Sequence, residues 1–109
     1  MVYVDFEENS ELQFIGENCF EKTSIKNICT PKKLEKIGKS SFFSCMNLYS
    51  FESLSEKFDF TQFLFNNTEN LNLLSFPNAK RIYNIKIVSN HSSIYNQINF
   101  FVKNNAIID

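Results

Sequence analysis

The sequence predicts a mainly β solenoid: short parallel strands stacked on one another, with turns and short 3₁₀ or helical segments on the other side. Two observations carry that expectation. The first is self-similarity. Residues 34–54, LEKIGKSSFFSCMNLYSFESL, return when the chain is moved forward by 23 residues: Phe42 falls on Phe65, Cys45 on Thr68, Asn47 on Asn70, Leu48 on Leu71, Phe51 on Leu74 and Leu54 on Pro77. Moved back by 22, Leu34 falls on Leu12, Ile37 on Ile15, Gly38 on Gly16 and Phe42 on Phe20. A period of roughly 20 to 50 residues marks an array in which each repeat is one small structural unit. The second is composition: 13 Phe, no Trp and only 2 Gly, both in the same repeat phase.

Taken in order, residues 2–6 (VYVDF) alternate apolar and polar, the period of a half-buried strand, and place Val4 and Phe6 in a first rung. Strands are expected at 25–30 (IKNICT), 48–53 (LYSFES) and 71–76 (LNLLSF). Pro31 and Pro77 end two of them, since proline offers no N–H to a ladder. Gly16 and Gly38 follow Ile15 and Ile37 at a turn, where a residue without Cβ is tolerated best. Thr61 takes the corresponding place in the next copy. The intervening ENCFEK and KSSFFSC are shorter than the mean helix of about 11–12 residues, so they read as a turn of 3₁₀ or brief helix. Stacking then builds three columns: Phe20, Phe42 and Phe65; Ile15, Ile37 and Phe60; Ile25, Leu48 and Leu71. Burying one such side chain contributes roughly 1.5–3 kcal/mol, which offsets the ordering of a rung only beside a neighbour.

After Pro77 the phase loosens. A strand is expected at Ile85–Val88, with Ile82 standing in for the earlier isoleucine. FFVKNNAIID carries Asn104 and Asn105 between two apolar runs, which suggests a hairpin or a capping strand pair. The domain reading is repeats over 1–88, about four with the last degenerate, and an out-of-phase cap or the start of an insert over 89–109. The open N-terminal end and the abrupt stop at Asp109 are read as signs of a fragment of a longer repeat protein.

The wording of the repeat, L12QFIGENCFEKTSIKNICTP31 followed by L34EKIGKSSFFSCMNLYSFESL54, resembles the BspA-like leucine-rich repeat family. The match is strong over 12–54, fair over 60–77 and weak beyond. The resemblance implies a curved leucine-rich-repeat solenoid used for binding or adhesion, often at cell surfaces.

Net charge is −1 with pI near 5.8, so nothing draws the chain generally to nucleic acid or anionic lipid. No stretch approaches the roughly 20 apolar residues that span a bilayer, and MVYVDFEENSEL is acidic with no apolar core of a secretory signal. That leaves a cytoplasmic protein, a piece of a longer surface protein, or export by another route. Catalytic, cofactor and metal residues are not expected. The one histidine, His91, sits in a polar SNHSS loop without the nucleophile and orienting partner a general base needs. Cys19, Cys29 and Cys45 form no C-x-x-C pair; buried thiols in the stack are the simplest account, with Cys29 facing outward. Lys32, Lys33, Lys36 and Lys39 cluster at a turn and read either as a patch for an acidic partner or, more simply, as a solvated turn. Two sequons, Asn66-Asn67-Thr68 and Asn90-His91-Ser92, matter only in a secretory lumen.

If a protein partner is bound, the concave sheet is the place, in three rows: Lys26, Tyr49, Asn72; Asn27, Ser50, Leu73; and Cys29, Glu52, Ser75. The candidate partner-binding residues are Lys26, Asn27, Tyr49, Ser50, Glu52, Asn72 and Ser75, with Tyr49 the best anchor. The expected function is a non-enzymatic protein–protein interaction module of surface-antigen type, able to stack end to end with further repeats. An intracellular scaffold is the alternative, or a fragment with no independent function.

Overall fold

Apolar positions that return every 22 or 23 residues bury themselves only if each return lies directly over the last, and parallel strand pairing achieves this. The computed structural model describes residues 6–7, 9–60, 64–65, 68–84 and 98–108, and among these nine short strands run parallel in three sheets, which make up two ladders. The main ladder is β2 (Asn27–Thr30), β4 (Ser50–Ser53), β6 (Leu73–Phe76) and β8 (Asn99–Val102), in that order. The expected strands at 25–30, 48–53 and 71–76 contain β2, β4 and β6 as their last four residues. Ile28, Phe51 and Leu74 lie in register and point inward, and Ile25, Leu48 and Leu71 are buried just ahead of the strands. Pro31 follows β2 and Pro77 follows β6 directly.

A second ladder, not anticipated from sequence, runs along the other side. It is made of two separate sheets: β1 (Phe14–Ile15) beside β3 (Lys36–Ile37), and β5 (Lys57–Asp59) beside β7 (Arg81–Tyr83) beside β9 (Ile107–Ile108). Strands of two or three residues are too short for alternation to show. Ile82 pairs with Phe58 rather than standing over Phe60. Phe60 is buried instead against Phe58, Phe65 and Phe76. The expected strands at Val4–Phe6 and Ile85–Val88, together with Thr61 and His91, fall wholly or partly outside the described residues.

The expected hairpin at Asn104–Asn105 does not form. β8 pairs parallel with β6, and β9 parallel with β7, so the two apolar runs join different ladders and make another rung. Asn105 takes a φ of 71° at the corner between them, a left-handed conformation asparagine tolerates well. Asn27, Ser50 and Leu73 follow one another at 23 residues, whereas Leu73 pairs with Asn99, a step of 26. The segment is out of phase in sequence and in register in space.

The 3₁₀ or helical segments are also absent among the described residues; 17–22 and 39–44 are turns. Asn18, Lys22, Ser40 and Ser44 have φ between 56° and 60°, at matching places in two successive repeats. A left-handed residue every few positions interrupts a right-handed helix. The N–H groups of Asn18, Phe20 and Lys22 donate instead to Lys39, Ser41 and Phe43 of the next rung, at 2.9–3.1 Å. Neighbouring rungs, rather than the segment itself, satisfy the backbone.

Phe20, Phe42 and Phe65 form a stacked column, with ring centroids 5.5 and 5.6 Å apart and planes within 11°. Strand spacing is about 4.8 Å, so each ring slides roughly 2.7 Å sideways from its neighbour, the offset that aromatic quadrupoles favour. Phe51 meets both Phe42 and Phe65 edge-on at 5.5 and 5.3 Å. Each such pair contributes about 0.5–1.5 kcal/mol beyond its buried area. Small polar side chains clip successive rungs beside this column. The buried Ser41 hydroxyl lies 2.8 Å from the Gly16 carbonyl and 2.7 Å from that of Gly38, and the Cys45 thiol donates to the Phe20 carbonyl at 2.9 Å.

The glycines serve closeness rather than a special turn conformation, since neither has positive φ. A Cβ on Gly38 would run into the Glu17 nitrogen and lie 2.6 Å from the Gly16 carbonyl carbon, whereas one on Gly16 meets nothing within 4 Å. Gly38→Ala is therefore expected to destabilise the fold by about 1–3 kcal/mol, and Gly16→Ala by less than about 0.5 kcal/mol. Equal losses in chemical denaturation of the two variants would contradict the inter-rung contact.

Candidate functional site

Because side chains alternate along a strand, the same ladder that buries Ile28, Phe51 and Leu74 turns its intervening residues outward. Asn27, Ser50, Leu73 and Asn99 are in register, as are Cys29, Glu52, Ser75 and Phe101. One residue upstream, the Lys26 carbonyl accepts from the Tyr49 N–H at 2.7 Å and the Tyr49 carbonyl from the Asn72 N–H at 2.8 Å, which aligns those three. The three rows read from the sequence are thus brought side by side.

Hydrogen bonds along the rows fix several of these side chains. The Ser50 hydroxyl donates to Asn27 Oδ1 at 2.6 Å, and the Asn99 amide to Asn72 Oδ1 at 3.2 Å. Glu52 bridges its row: Oε1 accepts from the Cys29 thiol at 3.4 Å and Oε2 from the Ser75 hydroxyl at 3.1 Å. Lys26, Asn27 and Tyr49 are exposed, while Ser50, Glu52 and Asn72 are half-buried. Ser75 is buried, so its role is to hold Glu52 rather than to meet a partner.

Tyr49, 53 % exposed, stands between Lys26 and Asn72, and Phe101, 58 % exposed, lies on the last described strand of the face. Phe101 and Asn99 were missed because the 26-residue step hides them from the repeat alignment; the alternation in N99FFV was the available signal. Among the described residues no group of His, Cys, Asp or Glu is arranged to hold a metal, and no helix is long and apolar enough to cross a membrane. Both sequons lie wholly or partly outside the described residues. Thr68 of the first is buried, and its hydroxyl bonds the Phe65 carbonyl.

None of the three cysteines is in a disulfide. Cys45 is buried in the column expected for it, 3.6 Å from the Thr23 hydroxyl, and Cys29 faces outward. Cys19, expected inside, is exposed. Its counterpart Ser41 is covered because Gly16 packs beneath it, whereas no described rung lies on that side of Cys19.

Stacked parallel strands, in-register side-chain rows and inter-rung clips define a β-solenoid repeat protein. A family profile described as a BspA type leucine rich repeat region (6 copies) matches residues 3–94. The chain belongs to that family. Its main ladder of four strands spans about three turns. Repeats of this kind serve protein interaction and are generally non-enzymatic. No curated protein and no solved structure matches the chain.

The exposures predict the thiol chemistry. A small thiol reagent should modify Cys19 and Cys29 in the native protein and reach Cys45 only after unfolding, as counted by intact mass. Rapid native labelling of Cys45 would contradict its place in the stack.

Proposed function

We propose that this protein is a non-enzymatic recognition module of the surface-antigen or adhesin kind, binding a protein partner through the outer face of the main ladder. The observation supporting this reading is the register. It sets Lys26, Tyr49 and Asn72 beside Asn27, Ser50 and Glu52 at the rung spacing of about 4.8 Å. Their backbone is held by inter-rung bonds, so little ordering remains to be done when a partner docks. Tyr49 supplies the large amphipathic side chain that interface hot spots favour, and the surrounding amides, hydroxyl and carboxylate form a polar rim. At the far end of the stack β8 and β9 have unpaired outer edges among the described residues, with Phe101, Ile107 and Ile108 exposed. This supports end-to-end stacking on a further repeat.

One observation favours a second reading, an intracellular scaffold using the same face. Cys19 and Cys29 are exposed and in no disulfide, and exposed thiols persist most readily in a reducing compartment.

Labelling intact source cells with a membrane-impermeant reagent separates the two. Label on the protein is expected for the surface module; a protein present in lysate yet never labelled would shift the reading to the scaffold. For the face itself, Tyr49→Ala should change folding stability by no more than about 0.5 kcal/mol. Once a partner has been captured by cross-linking, the same change should weaken its binding by about 2 kcal/mol or more. Undiminished binding would remove the sheet face from the account.

A further inference from the structure

The lysine cluster singled out in the sequence does not lie on the sheet face. Lys32 and Lys33 line an open cleft of about 760 Å³ at the corner between the two ladders, just beyond the ends of β2, β4, β6 and β8. Each rung turns that corner with polar residues, so the cleft runs down the stack and gathers charge from every rung. Two of its lysines are neutralised across rungs: Lys33 pairs with Glu11 at 2.8 Å and Lys80 with Glu56 at 3.6 Å. Lys32, Lys57 and Lys103 have no ion-pair partner among the described residues, and Glu35 is the one further carboxylate in the lining. A chain of net charge −1 thus concentrates an excess of two positive charges here.

Lys57 lies in register with Arg81 on the adjacent strand, and like charges directly opposite each other destabilise a sheet. An anionic partner would relieve that repulsion.

We propose that this cleft is a second binding surface, separate from the sheet face, and that its occupant is an acidic peptide segment of a protein. The interspersed carboxylates decide against a nucleic acid. Glu35, with the ion-paired Glu11 and Glu56, breaks up the positive lining that a continuous phosphate backbone would need, whereas a peptide can space its carboxylates to meet Lys32, Lys57 and Lys103.

The test uses a fluorescein-labelled Glu/Ser peptide and anisotropy at about 0.01 M and about 1 M salt, where screening lengths differ tenfold. Binding at low salt and its loss at high salt are expected. Lys57→Glu should weaken binding about fivefold or more and leave the thermal midpoint at or above wild type. Lys39→Glu, the same charge change outside the cleft, should weaken binding less than about twofold. No binding at low salt, equal effects of Lys57→Glu and Lys39→Glu, or tighter binding of a single-stranded oligonucleotide than of the peptide would each overturn the proposal. None of these outcomes touches Tyr49 or the sheet face, so failure here and failure of the recognition reading are distinguishable.

Discussion

The structure depends on one geometric constraint: every rung must sit about 4.8 Å above the last, the spacing of a hydrogen-bonded strand pair. A phenylalanine at a fixed place in each rung then has no choice of neighbour. Phe20, Phe42 and Phe65 meet as nearly parallel, offset rings, and Phe51, Phe58, Phe60 and Phe76 close around them at tilted or edge-on angles. Parallel stacking of large rings holds the turn side of the rungs at the pitch the strands impose on the other side. Where ring stacking stops, closeness takes over. The backbone at Gly38 approaches Gly16 and Glu17 so nearly that no side chain fits.

The same constraint settles the polar groups. A rung in isolation would leave its N–H and C=O groups facing apolar neighbours, a loss of the order of 1–3 kcal/mol for each buried group left unpaired. Here the next rung accepts them, through strand ladders on two sides and through the left-handed turns on the third. Side chains extend the pattern. Asn70 bonds the Met46 carbonyl and Asn78 the Leu54 carbonyl, each one rung back, and Ser55 caps the Leu34 carbonyl inside the corner. Surface chemistry follows from what remains. Residues not needed for these clips are laid out in rows along the sheet and in a charged cleft along the corner, so both candidate surfaces are products of register.

What could be read from the sequence was what register repeats. The phenylalanine column, the inward positions of β2, β4 and β6, and the strand ends at Pro31 and Pro77 recur at near-constant intervals and were legible. The rows between them were legible as register, though not as exposure, since Ser75 is buried where an outward residue is expected. Features carried by backbone conformation were not. Asn18, Lys22, Ser40 and Ser44 share a left-handed φ but no residue type, so the turn-side ladder left no sequence mark and short helical segments were expected in its place. The second ladder was invisible because Phe14–Ile15 or Lys36–Ile37 is too brief to show a period. Of the hairpin and the capping strand pair open at the last rung, the hairpin does not form, and the parallel pairing was hidden because three additional residues displace the rung from the repeat. Cys19 reads as buried by analogy with its column, although Ser41, its counterpart, is covered through a contact to Gly16 of the preceding rung that has no described equivalent at Cys19.

The most direct measurement is a solution NMR nuclear Overhauser spectrum of the aromatic rings. In-register stacking predicts cross-peaks from the Phe42 ring to both Phe20 and Phe65, with none directly between Phe20 and Phe65. A Phe42 ring in contact with only one of them, or direct contact between Phe20 and Phe65, would contradict the stacked solenoid, and the candidate surfaces that depend on it would go as well.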